Sequence, residues 1–286
     1  MVRAALWMSG AIVSFTTMAV AGRAVSIQLD TFELMMYRSL VGIVLVVTIG
    51  AIAGSLRQIT THQLGLHAVR NLFHFAGQNL WFYAITVIPL AQVFALEFTS
   101  PIWVALAAPL LLAERLTRMR MLAALLGFVG VLVVARPGLD GFGAGQLAAA
   151  TAAIGFAGSA VFTKILTRRN SITCILFWLT VMQAVFGLLC AGVDGRIAVP
   201  HGEVTAWLIV IGCAGLAAHF CLTSALTIAP ATLVIPFDFL RLPVIAAIGM
   251  LLYGEPFDIY VMIGAGIIFA ANYANLWTES RRPGVA

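Results

Sequence analysis

Residues 84–116 read AITVIPLAQVFALEFTSPIWVALAAPLLLAERL, and residues 225–257 read ALTIAPATLVIPFDFLRLPVIAAIGMLLYGEPF. Laid over each other at an offset of 141 they align without a gap, pairing Thr86 with Thr227, Pro89 with Pro230, Val93 with Val234, Phe98 with Phe239 and Glu114 with Glu255. The same offset pairs Leu6 with Leu147, Phe15 with Phe156, Ala19 with Ala160, Val20 with Val161 and Arg23 with Lys164. Apolar composition inflates chance matches, but prolines and acids in register are hard to get that way. The repeat fills the 286-residue chain and predicts two units, 1–141 and 142–286.

Hydrophobic residues make up 62% of the chain and charged residues 9%, against about 45–50% and 25% in soluble domains. Mean hydropathy is +1.04, so the chain is an integral membrane protein. Windows of about 20 residues, the length that spans a bilayer as a helix, predict ten helices: 4–25, 31–53, 66–87, 89–112, 119–136, 144–166, 171–191, 205–228, 230–253 and 257–278. These runs are too long and too evenly apolar for barrel strands, which makes the expected fold all-α. The first span, with Arg3 and the Ala19-Val20-Ala21 triplet, imitates a signal peptide. Its match to the sixth span predicts that it is retained.

Five helices per unit is an odd number, so the second unit is expected to enter the membrane upside down. Inverted repeats of this kind are characteristic of secondary transporters, which bind cargo near the midplane between the halves. One side of the membrane collects Arg3, Arg57, Arg70, Arg115, Arg118, Arg120, Lys164, Arg168, Arg169, Arg281 and Arg282, and the other Arg23, Arg136 and Arg196. The positive-inside rule then places both termini in the cytoplasm. The net charge of +5 is explained by this topology, and no nucleic-acid partner is read from it.

The run PLAQVFALEFTSPIWVALAAPLLLAERLT, followed by LLGFVGVLVVARPG and repeated in weaker form before LLYGEPF, resembles the EamA-type family of the drug/metabolite transporter superfamily. Its most specific marks are the acids closing the fourth and ninth spans, Glu114 and Glu255, and Arg38 also matches an Arg usual in that family. Ala113 stands where the family has Gly. The resemblance implies a facilitator or proton-coupled carrier with a central cavity between two five-helix halves, commonly exporting amino acids or related metabolites from the cell through the plasma (inner) membrane.

Glu97, Asp238 and Arg241 lie inside spans, where each charge costs about 2.5–3.5 kcal/mol on insertion scales. They must be paired or face water. Asp238 and Arg241 are three apart on one helix face. Glu97 is the repeat counterpart of Asp238, and Ser100 that of Arg241. Two readings stand side by side: Arg241 bridges both acids and holds helices together, or these charges engage cargo. Pro101, Pro236 and Pro243 are expected inside helices, freeing carbonyls and forming hinges or static kinks. Asn71, His74, Gln78 and Trp81 recur at spacings of three and four on the third span, a stripe that must face protein. His74 and, more weakly, His219 are candidates for proton coupling or gating together with Arg38, or else polar contacts between helices.

Tyr37, Trp81, Phe98, Trp103 and Trp178 lie well inside spans; some simply fill helix contacts, while aromatic faces beside both charge signs are what a zwitterion with an apolar or aromatic side chain needs. The expected cargo is therefore an amino acid. The alternative is another small metabolite or a lipophilic cation, exported or imported. Predicted substrate contacts are His74, Gln78, Trp81, Glu97, Phe98, Ser100, Asp238 and Arg241. The four cysteines form no C-x-x-C, and no ATP-binding or zinc motif occurs. No cofactor, metal or catalytic residue is expected, an enzyme is the least favoured reading together with a non-transporting subunit, and the partners are a small molecule and the bilayer. Small residues on the fifth and tenth spans (Ala123, Gly127; Gly266, Ala270) permit close packing within a monomer or across a homodimer.

Overall fold

A computed structural model describes residues 2–111, 117–136, 142–193, 195–228 and 237–280. The described residues are helical, joined by short turns, and hold no strand. The helices are α1 (Val2–Val25), α2 (Thr31–Ile52), α3 (Leu64–Val87), α4 (Leu90–Glu97), α5 (Ser100–Leu111), α6 (Arg118–Ala135), α7 (Ala144–Leu166), α8 (Ile172–Ala191), α9 (Glu203–Ile228), α10 (Arg241–Tyr253) and α11 (Ile259–Ser280). Six of them contain stretches long and apolar enough to cross a membrane, in α1, α2 and α6 to α9. At 1.5 Å per residue, 22 to 24 residues measure roughly 33–36 Å, the thickness of a bilayer core and its margins. The chain is a multi-pass membrane protein.

Local chemistry sets the ends. Asp30 caps α2 by accepting from Phe32 N and Glu33 N, both at 2.8 Å, while Glu33 accepts from Asp30 N at 3.0 Å, a reciprocal capping box. Glu33 also accepts from Ala198 N, and the Tyr37 hydroxyl donates to Ala198 O at 2.9 Å, so the start of α2 holds the connection between α8 and α9. Thr117 caps α6 and Ser171 caps α8.

In the most extensive contacts α1 packs on α9, α3 on α7, α2 on α8 and α6 on α11. By the 141-residue offset α1 corresponds to α7 and α3 to α9, so the first two pairs exchange equivalents, and the last two each join equivalents. Lipid offers no hydrophobic drive between helices, so close approach comes from small residues. A Cβ on Gly155 of α7 would lie 2.7 Å from the Gly77 Cα of α3. Between α6 and α11 the intimate contact is made by Gly130 and Gly264, whose carbonyls each approach the other glycine, whereas Gly266 faces open space.

The fourth span departs from expectation. In place of one helix over 89–112 there are two, parted by a turn at Phe98–Thr99. A second turn, at Phe239–Leu240, precedes α10 and falls 141 residues later. Pro101 has no N–H to give the Glu97 carbonyl, and Pro243 has none for that of Phe239, so both helices restart rather than continue. Pro101 and Pro243 are thus the second and third residues of their helices, not interior kinks. Pro89 is the N-cap of α4, as expected. Pro230, Pro236 and Glu114 lie outside the described residues.

Candidate functional site

Both helix breaks open onto the same charges. Arg241 Nη2, at the start of α10, donates to Glu97 Oε1 at the end of α4 and to Asp238 Oδ2, each at 3.1 Å. Trp81 of α3 donates from Nε1 to Glu97 Oε2 at 2.7 Å. The guanidinium lies over three rings, Phe15 at 4.7 Å, Phe94 at 4.9 Å and Phe98 at 5.1 Å, and Phe98 stacks on its repeat counterpart Phe239 at 4.3 Å. Such faces attract a desolvated cation. Arg241 is only 4% exposed while Glu97 and Asp238 are 17% and 21% exposed, so the acids form the open side of the cluster. Asp238 Oδ1 and Arg241 Nε are buried without hydrogen-bond partners. Two carboxylates against one guanidinium, with an oxygen to spare, suit a donor or cationic group on a bound molecule.

The break leaves carbonyls that α4 cannot satisfy itself. Asn272 of α11 donates to Phe98 O at 2.8 Å, and Thr99 Oγ1 donates to Leu96 O at 2.7 Å. Irregular backbone at membrane depth is tolerated where protein supplies such partners. The same design holds in broken-helix carriers, whose half-helix ends face the cargo.

A second polar centre lies between α2, α3, α8 and α9. A cavity of about 30 Å³ is lined there by Arg38, Ser39, His74, Thr180, Gln183 and His219, among others. Rings of His74 and His219 stand 6.1 Å apart. Phe15 joins the two centres, with one contact to Arg241 and an edge contact to His219 at 5.8 Å. Gln78 is buried on α3 between His74 and Trp81. The stripe on α3 thus faces protein throughout, with Asn71 donating to Trp178 O at 3.1 Å.

Of the sequence-derived candidates, Trp81, Glu97, Phe98, Asp238 and Arg241 converge at the breaks, and Arg38, His74 and His219 at the cavity. Ser100 is half-buried at the start of α5 and, among the described residues, outside the cluster's hydrogen bonds. The other three aromatics singled out stand in other surroundings. Tyr37 and Trp178 spend their polar atoms on the loop carbonyls of Ala198 and Thr60, and Trp103 is 37% exposed. Arg70, counted among the basic residues of one membrane side, is buried in α3, donating to Thr163 and Asn71. Phe15, Phe94, Thr180, Gln183 and Asn272 were not singled out as site residues; of these only Phe15 had left a signal, its repeat match with Phe156.

A third cluster stands at the opposite ends of α1 and α3 from the N-terminus. Arg23 donates to Glu255 at 2.5 Å and to Ile85 O and Ile88 O, while Glu255 Oε2 accepts from Leu90 N at 3.0 Å. Arg136 pairs with Asp258 nearby, stacked over Tyr260. Among the described residues no group of three or more His, Cys, Asp or Glu could hold a metal ion.

Short apolar helices broken at a buried ionic cluster, packed among helices long enough to cross a membrane, fit a carrier-like membrane protein. The chain belongs to the EamA-like transporter family, whose model matches it twice, over residues 2–136 and 143–277. It is 36% identical to a riboflavin transporter of Brucella anthropi over 220 residues, 76% of this chain and 78% of that one. With a riboflavin transporter of Vibrio cholerae it shares 29% identity over 92% and 89% of the two chains. An S-adenosylmethionine uptake transporter of Rickettsia felis is 25% identical over 96% and 92%. A crystal structure with 20% identity superposes with a TM-score of 0.65, covering 97% of this chain and 98% of the other, a likeness of fold.

Proposed function

We propose that the protein is a secondary transporter of a small heterocyclic metabolite, of riboflavin type, working by alternating access between two inverted five-helix halves (1–141 and 142–286) in the inner membrane, with both termini cytoplasmic. The observation that carries the reading is the Arg241–Glu97–Asp238 cluster, set at two helix breaks in register with the repeat and walled by the stacked Phe98 and Phe239. Aromatic walls accept a flat ring, and the excess carboxylate accepts its donors. The exchange of partners between α1·α9 and α3·α7 supports a two-fold relation of the halves, as does the double match of the family model.

Amino-acid export was the expectation from sequence. The relatives described above bear the names of riboflavin and S-adenosylmethionine transporters, which favours the alternative of other small metabolites. A second reading, S-adenosylmethionine as cargo, draws on the Rickettsia relative and on the acidic excess, which suits a sulfonium. The test is uptake of labelled riboflavin, S-adenosylmethionine and an amino-acid panel into proteoliposomes, with and without a pH gradient. Riboflavin transport competed by unlabelled riboflavin is expected. Transport of amino acids with none of riboflavin would overturn the proposal.

A further inference from the structure

The cavity between α2, α3, α8 and α9 is not used by the ionic cluster, and its make-up is particular. Four pairs of its lining residues are 141 apart: Arg38 with Leu179, Ser39 with Thr180, Gly42 with Gln183, and His74 with Gly215. Equivalent positions of the two repeats therefore meet around one small space, where carriers of this architecture hold cargo. The pairs are chemically unequal: the first repeat contributes Arg38 and His74 where the second has Leu179 and Gly215, and the second contributes Gln183 opposite Gly42.

No carboxylate is among the lining residues. Arg38 is directed at the Met35 sulfur, 3.4 Å away, a weak acceptor, and among the described residues it forms no ion pair. His74 is 4% exposed and its Nε2 has no partner. Gln183 has its orientation fixed, because Nε2 donates to Asn71 O at 2.8 Å, which leaves Oε1 buried and unpartnered. Arg38, His74 and Gln183 line the space, the last two carrying the unpartnered atoms Nε2 and Oε1, and it holds room for about two waters. A buried site with unmet donors and an unmet acceptor is costly unless something fills it.

We propose that this cavity is a second cargo subsite that receives the imide edge of a flat heterocycle, a C=O, N–H, C=O row, with Arg38, His74 and His219 facing the carbonyl oxygens and Gln183 Oε1 accepting from the N–H. The proposal rests on the riboflavin-type reading above and deepens it. Phe15 links this subsite to the ionic cluster. Its ring lies 4.7 Å from the Arg241 guanidinium and 5.8 Å from the His219 ring, so those two groups are no further apart than the sum, 10.5 Å. One molecule with a ring system and a hydroxylated tail can engage both ends, its imide at Arg38 and its tail hydroxyls donating to Glu97 and Asp238.

The test is fluorescence titration of the full-length protein in nanodiscs with riboflavin and with its N3-methyl derivative, followed by the same pair in proteoliposome transport. A methyl on N3 removes the donor and adds bulk, so binding at least about tenfold weaker is expected in the unaltered protein. Gln183→Leu is expected to weaken riboflavin binding and bring the ratio between the two ligands close to one, and Asp238→Asn to weaken both alike. Equal binding of riboflavin and its N3-methyl derivative by the unaltered protein overturns the subsite and leaves riboflavin transport standing. Absence of riboflavin binding and transport alike overturns the functional reading and the subsite with it. The ligand comparison requires no variant to fold.

Discussion

Replacing Arg241 separates the two roles open to the ionic cluster. Arg241→Ala removes a guanidinium only 4% exposed that bridges Glu97 and Asp238 at 3.1 Å each, and leaves both carboxylates without their countercharge. Breaking a buried pair from one side costs about 3–5 kcal/mol, because the partner charge stays behind uncompensated. Against a total stability of about 5–15 kcal/mol the protein is expected to fold but to melt lower by about 10 °C. The triple variant Glu97→Gln, Asp238→Asn, Arg241→Met carries no charge at the site, and it is expected to recover most of that loss, since neutral replacement of a whole cluster is often nearly cost-free. If the charges contact cargo, transport stays absent in both variants although melting recovers in the second. Thermal melting in detergent and riboflavin uptake in proteoliposomes, measured on the same preparations, decide the matter. Transport restored by the triple variant would refute the cargo role and leave Arg241 as a tie between helices.

Asn272→Leu is expected to lower stability by about 1–3 kcal/mol, seen as a melting shift, because the buried Phe98 carbonyl at the helix break loses its donor. Gly155→Val forces apart α3 and α7, where a Cβ already meets the Gly77 Cα at 2.7 Å, and is expected to cost about 1–3 kcal/mol or more and reduce yield of folded protein. Glu255→Ala removes the partner of Arg23 and of Leu90 N. A cysteine placed at position 92, beside that cluster, is then expected to react faster with a water-soluble thiol reagent in a background lacking the native cysteines.

The helices were largely legible because a bilayer demands apolar runs of fixed length: α7 falls on 144–166 as expected, and α6 within one residue of the expected 119–136. The breaks at Phe98–Thr99 and Phe239–Leu240 were not, since a 20-residue window averages over a two-residue turn. The information was present in Pro101 and Pro243, each of which denies a hydrogen bond to the residue four earlier, a constraint read as a kink rather than a restart. The Asp238–Arg241 pair and the part of Glu97 followed from spacing and repeat alone. Asn272 could not be found that way, because its bond crosses 174 positions and has no counterpart in the other half. Arg70 falls inside the expected span 66–87, but its burial could not be read from charge, since it depends on Thr163 and Asn71 taking its N–H donors. Cargo identity was beyond charge patterning, as a zwitterion and a flavin both meet acids and aromatics.

Arg23 has a further consequence for motion. Its guanidinium closes the last turn of α3 through the Ile85 and Ile88 carbonyls and at the same moment neutralises Glu255, which seats the first N–H of α4. Three helix ends share one fastener. Loss of the Arg23–Glu255 pair is therefore expected to loosen all three together.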